Sequence, residues 1–386
     1  MNAQLNPFSQ DQLFKYYAGI GSRDITRQEA LFLAKIGFCL ALSGYTATTG
    51  GSDGSDTGIE FGARAAYDYT ANVFNLDGSD YTRVLRCFLP WSGFNGRTVK
   101  PGYVVGGTGG AMAYTAPFHG NWDKLPQGAR KMMARNANQI MLDNLDIPVK
   151  FVICVTPDGA YNSAMTSYKT GGTGQAIRIA DANNIQVFNI NHPKHRERLE
   201  QWIEKLRQTQ IANFGFDPIS VIEHEYNTYN GFKNVVDGNI VSMAKNGEIG
   251  VLVHGLSCQR TKGKGLAKQI FDEFPEVFAA DQATKKGDKS KLGTYQAIPV
   301  ERNGKKFIII NAYTQVYWSN DQGKLSADYK KIKDVFSAIN KDFKGQQIHI
   351  PKIASGFASG CWVTISNAIK AETKDMPQPI LVNYKQ

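Results

Sequence analysis

The sequence predicts a two-domain α/β protein, and three observations lead to this prediction. The chain has 386 residues, which is more than one hydrophobic core usually holds. Short apolar runs alternate with amphipathic stretches along both halves, the order that builds layered sheets and helices. The composition, 42% hydrophobic and 20% charged, is typical of globular domains. We expect the first domain at residues 1–191, a charged helical linker at 192–217 and the second domain at 218–386.

The first half alternates strands and helices joined by glycine-rich loops. YAGIGS predicts a strand, and a helix follows from Thr26 to Ser43, where Thr26 and Glu29 have the spacing of a capping box. TATTGG predicts the next strand, and a helix begins near Thr57. An irregular aromatic segment at residues 76–125 interrupts the pattern, and we interpret it as an insertion that serves as a lid, an oligomer contact or both. Helix ARKMMARNANQIM, strand VKFVICVT, helix GQAIRIADAN and strand IQVFNI then complete a parallel sheet.

The second half shows the same alternation. Strands are predicted at GNIVSM, IGVLVHG, KFIIINAYT, QIHIPKIAS and PILVNY. Helices are predicted at KGLAKQIFDEF, SADYKKIKDVFSAINK and WVTISNAIKAE. This half is therefore expected to form an α/β domain with its own core.

Composition and local motifs exclude several classes of protein. No apolar run is long enough to span a membrane, and the opening MNAQLNPFSQ is unlike a signal peptide, so we expect a cytoplasmic protein without a membrane partner. Five cysteines without a CxxC pair or nearby histidines support neither a disulfide framework nor a zinc site, and no metal or cofactor is expected. The net charge of +10 favours an anionic partner, either a nucleotide or a nucleic acid.

Two glycine-rich turns in the first half point to an anion. TTGGSDGSDTGIEFGA and KTGGTGQAIRIA each lie between a predicted strand and the start of a predicted helix. Helix N-termini present unpaired N–H groups and the positive end of the helix dipole, and glycines allow a phosphate to approach the backbone. Two such turns at neighbouring strand ends, together with GSR after the first strand, therefore predict a phosphate-binding cradle.

These segments resemble the DprA/LOG-like (SLOG) superfamily, particularly the DprA-like proteins common in bacteriophages. The resemblance covers residues 14–190 and depends on GIGSR, TTGGSDGSDTGIEFGA, the ARN triplet at residues 134–136, TPDG and GGTGQAIRIA. It implies a Rossmann-like nucleotide-binding fold. The residues that match its motifs and would line the nucleotide site are Gly21, Ser22, Arg23, Gly50, Gly51, Asp56, Glu60, Gly171, Gly172 and Thr173.

The catalytic glutamate of one branch of this superfamily has no counterpart at the matching position of this sequence. The cytokinin-activating LOG enzymes of this superfamily hydrolyse nucleoside monophosphates with a glutamate shortly after their PGGxGT segment. The matching segment here, KTGGTGQAIR, contains no glutamate. Glu60, at the start of the helix after the first glycine turn, is the candidate substitute base. Its alternative role is that of a carboxylate at the positive end of a helix dipole.

The second half concentrates its chemistry in VLVHGLSCQRTKGKGLAKQIFDEFPEVF. A predicted strand ends near His254, a loop follows, and Gly263 and Gly265 open a predicted helix. A strand, a glycine loop and a helix N-terminus in this order suit a diphosphate, and Lys262 and Lys264 add positive charge.

This segment resembles the macro domain signature, and KLGTYQAIPV, IIINAYTQ and IPKIASGFASGCW continue the resemblance over residues 218–386. The resemblance implies a three-layer α/β/α domain with a mixed sheet that binds ADP-ribose. The adenine end would contact Asn239 and Ile240, and the distal ribose would lie near Asn311 and Gln315. The loops that would hold the rest of the ligand comprise Ser257, Gln259, Gly263, Lys264, Gly265, Leu266, Ser355, Gly356, Phe357, Ala358 and Ser359.

Within the macro superfamily, HGxxCQ, INAYTQ and SGF before CW are similar to the ADP-ribose 1''-phosphate phosphatases and their phage relatives. That similarity implies a catalytic role for His254, because an imidazole can act as a base or a nucleophile toward a phosphate monoester. The alternative is a strand-end histidine bound to the backbone. Several positions depart from the family: Ser257 replaces a common asparagine, Asn239 replaces the aspartate of a GD pair, and no aspartate precedes Trp362. INAYTQ also lacks the lysine nucleophile of the ADP-ribosyl hydrolases, so binding without turnover is a second interpretation.

Both halves thus predict ADP-ribose-derived nucleotides as ligands. The expected function is capture or hydrolysis of such a nucleotide, as a phage anti-defence factor or in the processing of NAD metabolites. The alternative is a DprA-like protein that binds single-stranded DNA, which would require Trp91, Phe94, Arg97 and Lys100 to form a basic aromatic stripe.

Overall fold

The computed structural model describes Phe8 and residues 15–74, 80–262, 265–317, 325–356 and 358–384. The chain divides into two compact units, Met1–Thr228 and Tyr229–Gln386. Both units pack helices on a sheet, which confirms the predicted α/β class. Among the described residues, no helix is both long and apolar enough to cross a membrane.

The first unit contains a parallel sheet that is six-stranded within the described ranges, in the order β4-β3-β2-β1-β5-β6. Its strands are β1 (Lys15–Gly21), β2 (Tyr45–Thr49), β3 (Leu85–Leu89), β4 (Tyr103–Val105), β5 (Val152–Val155) and β6 (Val187–Asn189). The chain moves outward from β1 to β4 and then returns to the other side of β1 with β5. This reversal opens a crevice at the carboxyl ends of β1 and β5, the usual ligand position in open α/β sheets.

The helices of the first unit cover both faces of this sheet. They are α1 (Arg27–Leu42), α2 (Ser55–Phe74), α3 (Gly109–Thr115), α4 (Gln127–Met141), α5 (Thr173–Ala182), α6 (Pro193–Phe214) and α7 (Pro218–Thr228). The predicted capping box is present: the Thr26 hydroxyl accepts from the Glu29 N–H, and the Glu29 carboxylate accepts from the Thr26 N–H. These two hydrogen bonds satisfy N–H groups that the first turn of α1 would otherwise leave open.

The segment at residues 76–125 is not simply an insertion, and the prediction is wrong in this respect. Its described part contributes β3 and β4, which extend the parallel sheet on the β2 side. The run LRCFL of β3 is almost wholly buried. A short apolar run among aromatic and glycine-rich residues has no periodicity that separates a buried strand from a loop, so pairing with β2 decides its structure.

Helices α6 and α7, which the sequence analysis assigned to a linker and to the second domain, pack on the first unit. The Trp202 ring on α6 makes edge-to-face contacts with Tyr45 and Phe151, and the Gln210 side chain donates to the Cys39 carbonyl. On α7, the Tyr226 ring packs against Phe61. The division of the chain after residue 228 follows from these contacts.

The second unit forms a mixed sheet, also six-stranded within the described ranges, in the order β7-β12-β11-β8-β10-β9. The strands are β7 (Val235–Gly238), β8 (Val251–Ser257), β9 (Tyr295–Arg302), β10 (Lys305–Gln315), β11 (Ile348–Ile350) and β12 (Ile380–Tyr384). The helices are α8 (Ile240–Lys245), α9 (Leu266–Glu273), α10 (Pro275–Gln282), α11 (Tyr329–Asp342) and α12 (Trp362–Glu372). Only the β9–β10 hairpin is antiparallel among the described pairs, so the carboxyl ends of β8, β10 and β11 meet at one edge.

The strand predicted at GNIVSM is wrong. Residues 240–245 form α8, and the preceding strand β7 ends at Gly238. The Asn239 side chain caps this helix, since its Oδ1 accepts from the N–H groups of Val241 and Ser242. Asparagine at a cap stabilises the helix start and overrides the β preference of the apolar residues that follow.

Candidate functional site

The first unit has an open cleft of about 420 Å³ at the carboxyl ends of β1 and β5. Loop residues after β1, the start of α2, one face of α4 and the turn before α5 line it. The residues that line the cleft include Arg23, Asp56, Arg135, Gln139, Gly172 and Thr173. This is the switch point of the sheet, where the sequence analysis expected a phosphate.

The first glycine-rich turn is filled by the protein's own carboxylate. Asp56 Oδ2 accepts from the N–H groups of Gly50 (3.0 Å) and Ser52 (3.2 Å), and it lies 3.7 Å from the Arg135 guanidinium. Burial raises the pKa of the Asp56 carboxyl, while Arg135 and the two N–H groups lower it. Because these amides already bind Asp56, this turn does not offer them to a ligand phosphate.

The second glycine-rich turn is open. Helix α5 begins at Thr173, and Gly172 at its N-cap makes no side-chain capping hydrogen bond. Gly171, Gly172 and Thr173 all line the cleft. Asp158 holds the preceding loop by accepting from the hydroxyls of Ser167 and Thr170, and these hydrogen bonds lower the pKa of Asp158 to about 2 against the opposing effect of burial. The Gly174 N–H donates to the Gly171 carbonyl, whereas the start of α5 at Thr173 lines the cleft on a loop held by hydrogen bonds.

The floor of the cleft presents two buried donors that lack a partner among the described residues. Arg135 is 5% exposed; its guanidinium donates to Ser52 Oγ (2.6 Å) and Gln139 Oε1 (3.0 Å), but its Nε finds no acceptor. The Gln139 Nε2 is likewise unpaired, and Gln139 is 1% exposed. Burial lowers the pKa of Arg135, and Asp56 opposes that shift. Unpaired buried donors are costly, and the described residues supply neither of these two with an acceptor.

Glu60 does not line this cleft, so the structure argues against its predicted role as a base. Its Oε2 accepts from Arg97 Nε (2.8 Å), its Oε1 accepts from the Tyr103 hydroxyl (2.6 Å), and the residue is 5% exposed. Arg64 lies 3.9 Å away on the same helix. The carboxylate is occupied by structural contacts that connect α2 to β4 and to the segment before it.

The structure brings seven of the ten predicted residues of the first unit to the cleft: Gly21, Ser22, Arg23, Asp56, Gly171, Gly172 and Thr173. Gly50, Gly51 and Glu60 lie behind it. Arg135 belongs to the ARN motif but was not among the predicted site residues, and Gln139 was not predicted either. Their spacing of four residues on a predicted helix was the signal that both share one face.

The basic aromatic stripe required for the DNA-binding alternative does not form around Arg97. That guanidinium is buried against Glu60 and Thr57. Trp91 is 41% exposed and packs edge-on against Phe94, and the Lys100 ammonium lies over the Tyr103 ring. Arg97 is therefore not available to a nucleic-acid backbone.

The second unit has a crevice of about 200 Å³ between the carboxyl ends of β8 and β11 and the start of α9. The predicted residues that line it are His254, Ser257, Leu266, Gln315, Gly356 and Ala358. Thr261, Gly255 and Ile353 also line it and were not predicted. Gly263, Lys264 and Phe357 lie outside the described residues.

His254 is 1% exposed at the base of this crevice, and its ring packs edge-on against Phe271. Its Nε2 lies 2.7 Å from Asn311 Oδ1. Burial lowers the pKa of His254 to about 4, against a smaller opposing effect of Asn311, so the ring is neutral near pH 7. Its Nδ1 has no partner among the described residues. The hydrogen bond to a side chain on the next strand replaces the backbone contact that we considered as an alternative.

Two hydrogen bonds hold the loop after β8 at the crevice. The Gln259 side chain donates to the Val316 carbonyl (3.0 Å), and the Cys258 N–H donates to the Gln315 carbonyl. The Thr261 hydroxyl is buried without a described partner. Gly265 has a φ of 64°, and Leu266 then begins α9, whose N-cap makes no side-chain hydrogen bond. No described side chain therefore caps the first turn of α9, and its residues Leu266 and Ala267 line the crevice.

The loop after β11 faces the first loop across the crevice. Ala354 and Ser359 both have positive φ values, 54° and 55°. The Ser355 hydroxyl donates to the Lys352 carbonyl, and the Gly360 N–H donates to the Ala354 carbonyl. These contacts hold a tight loop before α12, with Gly356 exposed at its rim.

Three predicted ligand residues of the second unit have other roles. Asn239 caps α8 with its side chain, and Ile240 belongs to the hydrophobic core. Asn311 is fully buried and does not line the crevice, because its side chain bonds to His254. The resemblance placed these residues by motif position, whereas side-chain direction and burial depend on the packing of β7, α8 and β10.

No group of three or more histidine, cysteine or acidic residues within the described ranges could hold a metal ion. The five cysteines are free and buried. Burial raises the pKa of the Cys154 thiol, for example, so it is a poor nucleophile.

No protein-family model matches this sequence. A curated relative, an uncharacterised 17.5 kDa protein in the tk-vs intergenic region of Enterobacteria phage T4, is 27% identical over 139 residues, which are 35% of this chain and 85% of that protein.

Similar solved structures include three proteins at low identity. The macrodomain of Thermus aquaticus DarG is 15% identical, covering 40% of this chain and 97% of that chain, with a TM-score of 0.31. Thermosipho africanus DarTG in complex with ADP-ribose is 14% identical, covering 47% of this chain and 51% of that chain, with a TM-score of 0.33. A macrodomain protein from Streptomyces coelicolor is 19% identical, covering 39% and 99%, with a TM-score of 0.29. The ligand of this chain has to be inferred from its own clefts.

Proposed function

We propose that the second unit binds an ADP-ribose-type nucleotide in the crevice between β8 and β11. The observation that carries the proposal is that the start of α9, which no described side chain caps, lines the same crevice as His254 and Thr261, two residues with a buried polar atom that lacks a described partner. The first turn of α9 suits a diphosphate, and the two side chains offer hydrogen bonds to sugar hydroxyls. The macro domain resemblance of the same segments supports this ligand class.

Binding has better support than turnover. With a pKa of about 4, His254 is neutral at physiological pH but is a weak base. Its partner Asn311 is a neutral amide. It therefore does not stabilise a protonated imidazole as a carboxylate partner would. Hydrolysis of ADP-ribose 1''-phosphate remains the second candidate, because the free Nδ1 lies among the residues that line the crevice.

The test is calorimetry of the full chain with ADP-ribose and with ADP-ribose 1''-phosphate, followed by mass analysis of the recovered nucleotides. We expect binding with the nucleotide intact; a loss of phosphate would identify the second candidate as the function. His254→Ala should then abolish phosphate release. Absence of binding to either nucleotide would refute the proposal.

A matched pair of glycine variants tests the location. Gly255 and Ile353 both line the crevice, and a Cβ on Gly255 would lie 2.9 Å from the Ile353 side chain and 3.0 Å from the Thr314 hydroxyl, so Gly255→Val should displace this part of the lining. Gly250, just before β8, has open space around its Cβ position, and Gly250→Ala is the control. We expect the first variant to weaken ADP-ribose binding at least tenfold and the control to retain it. Equal affinity in both would place the ligand elsewhere.

We propose that the cleft of the first unit binds a nucleoside phosphate through one anionic group. The unpaired Arg135 Nε and Gln139 Nε2 favour this candidate, and the uncapped start of α5 supports it. Calorimetry with AMP in increasing salt tests it. Arg23→Ala and Lys169→Ala, both at the cleft, should lower the affinity and its salt dependence, while Lys205→Ala on α6 should not. AMP affinity that none of these substitutions changes would exclude the cleft.

The cellular role that we propose is the capture or hydrolysis of a NAD-derived nucleotide. The shared ligand class of the two clefts supports this role. Expression of the protein in bacteria should lower the free ADP-ribose pool measured by mass spectrometry, and the Gly255→Val variant should not. An unchanged pool with the unaltered protein would argue against it.

A further inference from the structure

Asn311 and His254 are register partners on neighbouring parallel strands. Asn311 lies opposite His254 in the β10–β8 pairing, and both side chains are buried. The Asn311 Oδ1 is 2.7 Å from His254 Nε2. If the Asn311 atom that faces the ring is the amide oxygen, as assigned, it can only accept, and His254 Nε2 must donate. If the amide were flipped, its nitrogen would donate to Nε2 instead.

The other end of the Asn311 amide decides this question. Its Nδ2 donates to the Val277 carbonyl (3.2 Å) and is 3.5 Å from Gln296 Oε1. A flipped amide would place Oδ1 against the Val277 carbonyl oxygen, two acceptors facing each other in a buried position, which is unfavourable. The oxygen of Asn311 therefore faces the imidazole, and His254 Nε2 must carry the hydrogen.

The consequence for His254 is a fixed tautomer. A neutral imidazole has one N–H, so a protonated Nε2 leaves Nδ1 with a lone pair. That Nδ1 has no donor among the described residues, and the imidazole lies among the residues that line the crevice. The lining of the crevice thus contains a buried hydrogen-bond acceptor that lacks a donor among the described residues.

We propose that Asn311 is a positioning residue that holds His254 as the Nε2–H tautomer, so that Nδ1 accepts a hydrogen bond from a hydroxyl of the bound nucleotide. The ligand part of this inference rests on the proposed function of the crevice. An unprotonated phosphate oxygen would be repelled by the lone pair of Nδ1. The phosphates then belong at the first turn of α9, and a sugar hydroxyl belongs at His254.

Nitrogen NMR of the ligand-free protein, labelled with ¹⁵N in its histidine rings, tests the tautomer. The His254 signals are assigned by their loss in His254→Gln. We expect a protonated Nε2 and an unprotonated Nδ1 at pH 7 in the unaltered protein. In Asn311→Leu, which removes the acceptor, we expect averaged shifts of both tautomers. A protonated Nδ1 in the unaltered protein, or an unchanged pure tautomer in Asn311→Leu, would overturn the role of Asn311.

A structural role for Asn311 alone would not move the ring nitrogens in this way, and the unaltered protein decides the tautomer even if the variant does not fold. His349, which is also buried in the second unit, serves as the internal reference that should keep its shifts. Saturating ADP-ribose should then move the Nδ1 signal toward that of a hydrogen-bonded acceptor while Nε2 keeps its proton.

An Nδ1 signal that does not move, although calorimetry shows binding, would overturn the contact with the hydroxyl. Failure of ADP-ribose to bind by calorimetry would refute the proposed function instead. The tautomer assignment would in that case still be decided by the ligand-free spectrum.

Discussion

The guanidinium of Arg135 occupies the space where a side chain on Gly50 would begin. An ideal Cβ on Gly50 would lie 1.2 Å from Arg135 Nη1 and 2.3 Å from its Cζ. Glycine is thus required after β2 to seat a buried arginine, rather than to admit a phosphate to the backbone. The first glycine-rich turn and α4 are coupled through this contact.

Gly50→Ala should displace Arg135 and weaken AMP binding in the first unit. The backbone can move only at the expense of the Asp56 hydrogen bonds to Gly50 and Ser52, so we also expect a loss of stability of roughly 2–4 kcal/mol. Urea unfolding followed by the fluorine signal of 5-fluoro-Trp202 measures this. Gly110→Ala in α3, where nothing lies near the new Cβ, is the control and should leave both quantities unchanged. Equal behaviour of the two variants would contradict the coupling.

Asp56→Asn should destabilise the first unit by about 3 kcal/mol or more, because it leaves a buried guanidinium without its counter-charge. The same fluorine signal reports the change. Adding Arg135→Met to this variant should recover part of the loss, since the unpaired charge is then removed. If the double variant were as unstable as the sum of the single changes, the two residues would not be energetically coupled.

Glu60→Gln separates a structural carboxylate from a catalytic base. The change leaves buried Arg97 without its partner, and we expect a stability loss of roughly 3 kcal/mol with unchanged AMP affinity below the unfolding transition. The measurements are urea unfolding and calorimetry. The prediction would be wrong if the unaltered protein hydrolysed a nucleoside monophosphate and Glu60→Gln lost this activity without losing stability. Glu60 would then be the base.

His254 should make the second unit less stable in acid. Its folded-state pKa of about 4 lies below the ordinary value of 6.5, so the unfolded chain binds a proton that the folded chain does not. Stability is therefore full above pH 6.5, falls as the pH drops toward 4, and loses roughly 3 kcal/mol from this group. Urea unfolding followed by 5-fluoro-Trp362 between pH 7 and 4 measures it. His254→Gln should reduce this pH dependence; an identical slope in the variant would disprove the assignment.

The α/β class and most elements could be predicted from the sequence. Helix α1 and its capping box depend on contacts between residues three or four apart, which periodicity and the Thr26–Glu29 spacing reveal directly. The run WVTISNAIKAE predicted α12 to the residue. The error at β3 occurred where a distant partner decides, because its strand identity comes from pairing with β2, whereas the error at α8 overlooked the local cap by Asn239.

The candidate sites show the same division. Motif spacing located both clefts at strand ends and helix starts, because chain direction and glycine position are local properties. It could not tell that Asp56 fills the first glycine turn, that Glu60 pairs with Arg97, or that Asn311 faces His254 rather than a ligand. These contacts join residues between 4 and 57 positions apart.

The sequence by itself therefore determined most of the elements and the strand ends and helix starts at which the two clefts lie. Only the tertiary structure decided which polar groups remain unpaired there: Arg135 Nε, Gln139 Nε2 and His254 Nδ1. The physical reason is that hydrogen-bond satisfaction in a buried site is set by every neighbour at once, and those neighbours come from strands and helices that only the packed fold brings together.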